Sequence, residues 1–151
     1  MSTTFVVPEH RIPPLAPTRQ GKKSEPVTNY RKRTVIVVDD EPLVADSLAE
    51  ILNGSGFEAT PVYSGKAALE LVLQRSPDII ITDVVMPFMN GIQVAKVSKA
   101  ISPETRIVLL SGQAETRDLL HQAGHDGASF ELWAKPVHPD ILLRKLNQDA
   151  G

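Results

Sequence analysis

From Thr34 onward, short β-branched apolar runs alternate with segments whose apolar residues recur at helical spacing, and few folds accept that rhythm. Thr34-Val-Ile-Val-Val38 is apolar and bounded by charges, which predicts a strand buried on both faces. Leu43, Val44, Leu48, Ile51 and Leu52 then fall on one helical face. Pro42 suits the first turn of that helix, and Asn53-Gly-Ser-Gly56 its stop. The pattern predicts a weaker strand over 58–63, a helix capped by Ser64 and running to about 75, and a buried strand over 78–82. A Pro87 and Asn90-Gly91 loop leads into a helix over 92–100, followed by a strand over 106–110. A helix over 114–122, a strand over 129–134 and a helix over 138–147 complete the series. Five strands alternating with five helices through short connections imply βαβ units, right-handed crossovers and a doubly wound parallel α/β sheet.

The first thirty residues break this rhythm. They hold five of the twelve prolines and few large apolar residues, too few to offset the entropy of ordering. The chain is therefore divided into a disordered, Pro-rich tail, 1–31, and a domain, 32–149. Charge divides similarly: residues 1–33 carry a balance of +5, and residues 34–151 a balance of −7. The tail's cations are scattered and no nucleic-acid motif accompanies them, so a solubilising extension is favoured over a binding segment. With no cysteine, a disulfide scaffold, a zinc finger and a thiol nucleophile are excluded. The apolar runs are too short to span a bilayer and the N-terminus lacks a secretion signal, so a cytoplasmic protein without a membrane span is expected.

Polar residues interrupt at particular places. The first strand runs into Asp39-Asp40-Glu41, the third into Asp83, the fourth into Ser111 and the fifth into Lys135. In an open parallel sheet all these strand ends share one edge, where ligands bind. Three carboxylates in one crevice repel one another and call for a cation, and an all-oxygen donor set favours Mg²⁺, with Mn²⁺ as an alternative. Lys135 and Ser111 add an ammonium and a hydroxyl suited to phosphoryl oxygens. Carboxylate, metal, lysine and hydroxyl together make an arrangement for receiving a phosphoryl group. Each residue alone would more often be a strand-end cap.

These motifs, in this order over about residues 33–148, resemble the receiver domain of two-component response regulators. Val-Ile-Val-Val-Asp39-Asp40-Glu-Pro is similar to the family's acidic pair, and Asp83-Val-Val-Met-Pro87-Phe-Met-Asn-Gly91 to its phosphorylation loop. Ser111-Gly and Ala-Lys135-Pro136 complete the set. The resemblance implies a flavodoxin-like sheet with strand order 2-1-3-4-5. It implies Asp83 as phosphoacceptor, with Ser111 and Lys135 on the phosphoryl oxygens. It implies Mg²⁺ held by Asp40, Asp83 and the backbone carbonyl of Val85, with Asp39 acting mostly through water, and a cis Lys135–Pro136 bond. It implies a histidine kinase or phosphotransfer protein as donor, and a switch that is not a turnover enzyme. No DNA-binding segment is visible, so a single-domain regulator acting on a downstream protein is expected.

Two positions depart from the family pattern. Leu132 stands three residues before Lys135, where the family usually carries Tyr or Phe. Phe130 shares its face, and Trp133 points to the other, where packing and an exposed partner surface are both open. Val85, two residues after Asp83, cannot orient a water. The alternatives are a phosphorylation-independent interaction module of the same fold and a Mg²⁺-dependent phosphohydrolase. Against the latter, Val85 occupies the position where an acid/base aspartate would be needed.

Overall fold

The computed structural model describes residues 31–112, Asp118, His121 and 130–148. The architecture belongs to the unit Lys32–Gly151. The elements are β1 (Thr34–Val38), α1 (Pro42–Asn53), β2 (Glu58–Val62), α2 (Gly65–Arg75) and β3 (Ile79–Asp83), then α3 (Gly91–Ile101), β4 (Arg106–Ser111), β5 (Glu131–Ala134) and α4 (Pro139–Gln148). The tail, the helix expected over 114–122 and the start of the expected fifth strand lie outside the described residues.

All five strands are parallel and stand in the order β2-β1-β3-β4-β5, as the resemblance implied. Strand residues point alternately to the two faces, and each face builds its own core. On one side Val35, Val37, Ile79, Ile81, Val108 and Leu110 pack with Ala45, Ala49 and Leu52 of α1 and with Leu142 and Leu146 of α4. On the other, Ile36, Val38, Ile80, Ile107 and Leu109 pack with Ala68 and Val72 of α2 and with Val94 and Ala95 of α3. Cover on both faces explains why the inner strands are unbroken apolar runs.

Element ends follow side-chain chemistry. Ser64 caps α2 by accepting from the Ala67 N–H at 3.1 Å, and Asn90 and Gln93 form a reciprocal capping box on α3. Gly56, at φ +95°, turns the chain after α1. Asp78 was expected inside β3 but stands before it. Its carboxylate accepts from the backbone N–H and hydroxyl of Thr34 at 2.8 and 3.1 Å, bracing the bottoms of β1 and β3. Tyr63 likewise falls outside β2, with its hydroxyl donated to Asp46 on α1. Arg33 and Arg106 both donate to the Leu146 carbonyl at 3.1 Å, satisfying an orphan acceptor at the end of α4.

Trp133 is buried, 6% exposed, in the α1–α4 core, with the Lys145 ammonium 4.9 Å from its ring centre. The indole is therefore packing, and no exposed aromatic surface forms there. Phe130 and Leu132 pack on the opposite face.

Ser98, fully buried on α3, has a hydroxyl without a hydrogen-bond partner among the described residues. An unpaired buried hydroxyl costs about 1–3 kcal/mol. Ser98→Ala should therefore raise the unfolding free energy by about 1 kcal/mol. Equilibrium urea unfolding checks this, and a lower midpoint would contradict it.

Candidate functional site

The site grows out of register. Val38 pairs with Thr82, so the next residues, Asp39 and Asp83, leave adjacent strands at the same edge. Ser111 ends β4 opposite Ala134, and Lys135 follows it. The Lys135 N–H donates to the Ser111 carbonyl at 2.8 Å, which ties the two strand ends together. The Lys135–Pro136 bond is cis.

Carboxylate oxygens of Asp39, Asp40 and Asp83 all lie within 4.8 Å of one another. Asp39 and Asp83 are buried, whereas Asp40 is exposed. Lys135 Nζ donates to Asp83 Oδ1 at 2.8 Å. Asp39 Oδ1 accepts from the Glu41 N–H at 2.9 Å, a side-chain-to-backbone turn that bends the chain from β1 into α1. Ser111 is buried, and Val85, the second residue after β3, has its side chain exposed. Every sequence-predicted residue thus reaches this edge. An all-oxygen trio at such spacing fits a hard divalent cation.

Burial pushes the Asp39 carboxyl above the ordinary carboxylate range, and the charges of Asp83 and Asp40 push the same way. The Glu41 N–H and the Lys135 ammonium pull it back. A carboxyl whose pKa is raised by folding contributes stability below its unfolded pKa and loses it as pH rises through the folded one. Asp39→Asn should therefore raise the melting temperature at neutral pH in chelator, with the gain fading in acid. Thermal melts at both pH values check this, and a destabilised variant at neutral pH would contradict it.

Two residues gain importance only in three dimensions. Gly91 opens α3, and its N–H donates to the Val84 carbonyl at 2.8 Å. A Cβ there would stand 2.2 Å from the Asp83 carbonyl oxygen. Phe88, in the same loop, is fully exposed at φ +67°.

Comparison with known proteins agrees with this geometry. A family model described as the response regulator receiver domain matches residues 35–147. The DNA-binding response regulator MtrA of Mycolicibacterium smegmatis is 32% identical over 115 residues, covering 76% of this chain and 49% of MtrA. This chain thus spans about half the length of such relatives. The autoinducer 1 sensor kinase/phosphatase LuxN of Vibrio campbellii is 35% identical over 91 residues, covering 60% of this chain and 11% of LuxN. Among solved structures, the chemotaxis protein CheY4 of Vibrio cholerae superposes with a TM-score of 0.69 at 27% identity, over 77% of this chain and 97% of CheY4. With its sheet order, its acidic crevice and the match across 35–147, the chain belongs to the response regulator receiver domain family.

Proposed function

We propose that this chain is a phosphoacceptor switch, in which Asp83 takes a phosphoryl group from the phosphohistidine of a kinase or phosphotransfer protein in the cytoplasm. The observation carrying this reading is the Lys135 ammonium 2.8 Å from Asp83, beside two further carboxylates. An Asp83 oxygen forms the new bond to phosphorus, and the donor nitrogen departs with the electrons of the broken P–N bond. Lys135 and the Ser111 hydroxyl take the phosphoryl oxygens as charge moves onto them. Asp40, Asp83 and the Val85 carbonyl would hold Mg²⁺, with the Asp39 carboxylate beside them. Bound Mg²⁺ neutralises charge on the transferring group. The domain is 32–149, and 1–31 is a basic extension. The acyl phosphate forms once per chain and hydrolyses slowly, so the protein is a switch and does not turn over substrate.

One observation favours a second reading. Leu132 is packed into the sheet where the family's usual switching aromatic would stand, which suits an interaction module that changes little on phosphorylation. The two readings part on whether phosphorylation alters partner binding.

Intact-mass spectrometry after incubation with acetyl phosphate tests the proposal. One added phosphoryl group with Mg²⁺, and none in chelator, is expected. No gain from acetyl phosphate, phosphoramidate or a charged histidine kinase would overturn it.

A further inference from the structure

Among the described residues, two non-glycine positions have positive φ. Ser76 is one, and it serves as the left-handed cap of α2. Phe88 is the other, and it caps nothing. The Met89 N–H donates to the Pro87 carbonyl at 2.7 Å, closing a three-residue turn with Phe88 at its centre at φ +67°. Turns of this kind with positive φ are rare and strained, and a bulky side chain at such a φ is an outlier. Glycine would hold this position without strain. The aromatic ring gains nothing from the fold in return, since its relative exposure is 105%.

The ring also has company. Eight large apolar side chains are exposed among the described residues, and six stand at the C-terminal edge of the sheet. Leu43 and Val44 lie in the first turn of α1, Tyr63 follows β2, Val85 and Phe88 follow β3, and Ile141 lies in the first turn of α4. They share this edge with the carboxylates of Asp39, Asp40 and Asp83 and the ammonium of Lys135. Apolar anchors around a polar centre are the anatomy of a protein-binding face. A second copy of this chain would set acid against acid across that face. A donor protein with basic residues beside its phosphohistidine is complementary.

We propose that Phe88 is a specificity-determining contact for a protein phosphodonor, an aromatic anchor that enters an apolar recess beside the donor's phosphohistidine. This rests on the phosphoacceptor reading above. Phe88 touches neither Asp83 nor the transferring group in this role, so it governs which donor docks and leaves the chemical step alone.

The test uses the full chain, its Phe88→Ala and Phe88→Gly variants, and Leu73→Ala as an exposed apolar control on α2. Phosphotransfer is timed from acetyl phosphate and from a panel of autophosphorylated histidine-kinase cytoplasmic domains of the source organism. For the fastest kinase, kcat/KM is expected to fall about tenfold in both Phe88 variants, the size of a modest hot-spot truncation, with the loss carried by KM. Acetyl phosphate should label all four proteins alike, and Leu73→Ala should match the parent chain throughout. Phe88→Gly should also melt higher than Phe88→Ala, as the strain is relieved. Unchanged kinase transfer in the Phe88 variants would overturn the inference. An equal loss with both donors would assign Phe88 to the site's internal geometry and overturn it too. So would loss of a dimer in sedimentation velocity, which would make the face a self-association surface, or labelling by acetyl phosphate but by no kinase. Failure of acetyl phosphate and all kinases on the parent chain would overturn the phosphoacceptor reading itself.

Discussion

Asp83→Asn is expected to abolish phosphoryl uptake, by about four orders of magnitude or more, while leaving the fold in place. The amide oxygen is a poor nucleophile, and the amide nitrogen is a donor that Lys135, itself only a donor, cannot satisfy. Today that ammonium sits 2.8 Å from the Asp83 carboxylate, in a pair that is partly exposed on the lysine side. Losing it should change stability by no more than about 1 kcal/mol. Lys135→Ala is the graded companion. It keeps the nucleophile but removes one preorganised charge, and should slow uptake by about 10²–10³. Intact mass against time, with acetyl phosphate and Mg²⁺, measures both. Labelling of Asp83→Asn at the parent rate would contradict the assignment.

Gly91→Ala is expected to be the most damaging conservative change near the site. At the first position of a helix, alanine ordinarily improves on glycine by up to about 1 kcal/mol. Here its Cβ would meet the Asp83 carbonyl oxygen at 2.2 Å and the Val84 Cα at 2.9 Å, and these are backbone atoms that cannot rotate away. Overpacking of this sort costs about 1–3 kcal/mol, which lowers the melting temperature by on the order of 5 °C per kcal/mol. Relief requires moving the peptide that carries Asp83, so labelling by acetyl phosphate should slow even in the folded protein. Gly65→Ala is the contrast. Its Cβ would meet Met89 Cβ and Val94 Cγ2 at 2.9 Å, a shallower overlap that does not touch the Asp83 peptide. Calorimetry should rank Gly91→Ala well below Gly65→Ala. The reverse order would show that the tight approach of α3 to β3 is not required.

Much of this fold is legible in the sequence because the strands are buried on both faces. Runs such as Val35–Val38 and Ile79–Ile81 are apolar without interruption, so the first charged residues beyond them, Asp39 directly and Asp83 after the buried Thr82, mark the sheet edge. Asp39, Asp83, Ser111 and Lys135 were therefore placed together by topology alone. Strand limits were less legible. Asp78 and Tyr63 continue their runs in sequence, but hydrogen bonds to Thr34 and Asp46 draw them out of the strands. Alternation put Trp133 opposite Leu132 but did not say whether a helix covers it, and the answer depends on where α4 returns. Gly91 reads in sequence as an ordinary turn signal. Its need for a missing side chain comes from the distance to Asp83, which no local pattern encodes. The same holds for Phe88, whose φ is set by the closure of the loop between β3 and α3.

Chemical mapping of the phosphoryl group identifies the acceptor residue. Borohydride reduces an aspartyl phosphate to homoserine, so reduction after acetyl phosphate treatment, followed by peptide mass mapping, marks the acceptor in place. Homoserine at position 83 and unmodified aspartate at 39 and 40 are expected. Homoserine at Asp39 or Asp40, or a stable phosphate on Ser111, would contradict the assignment.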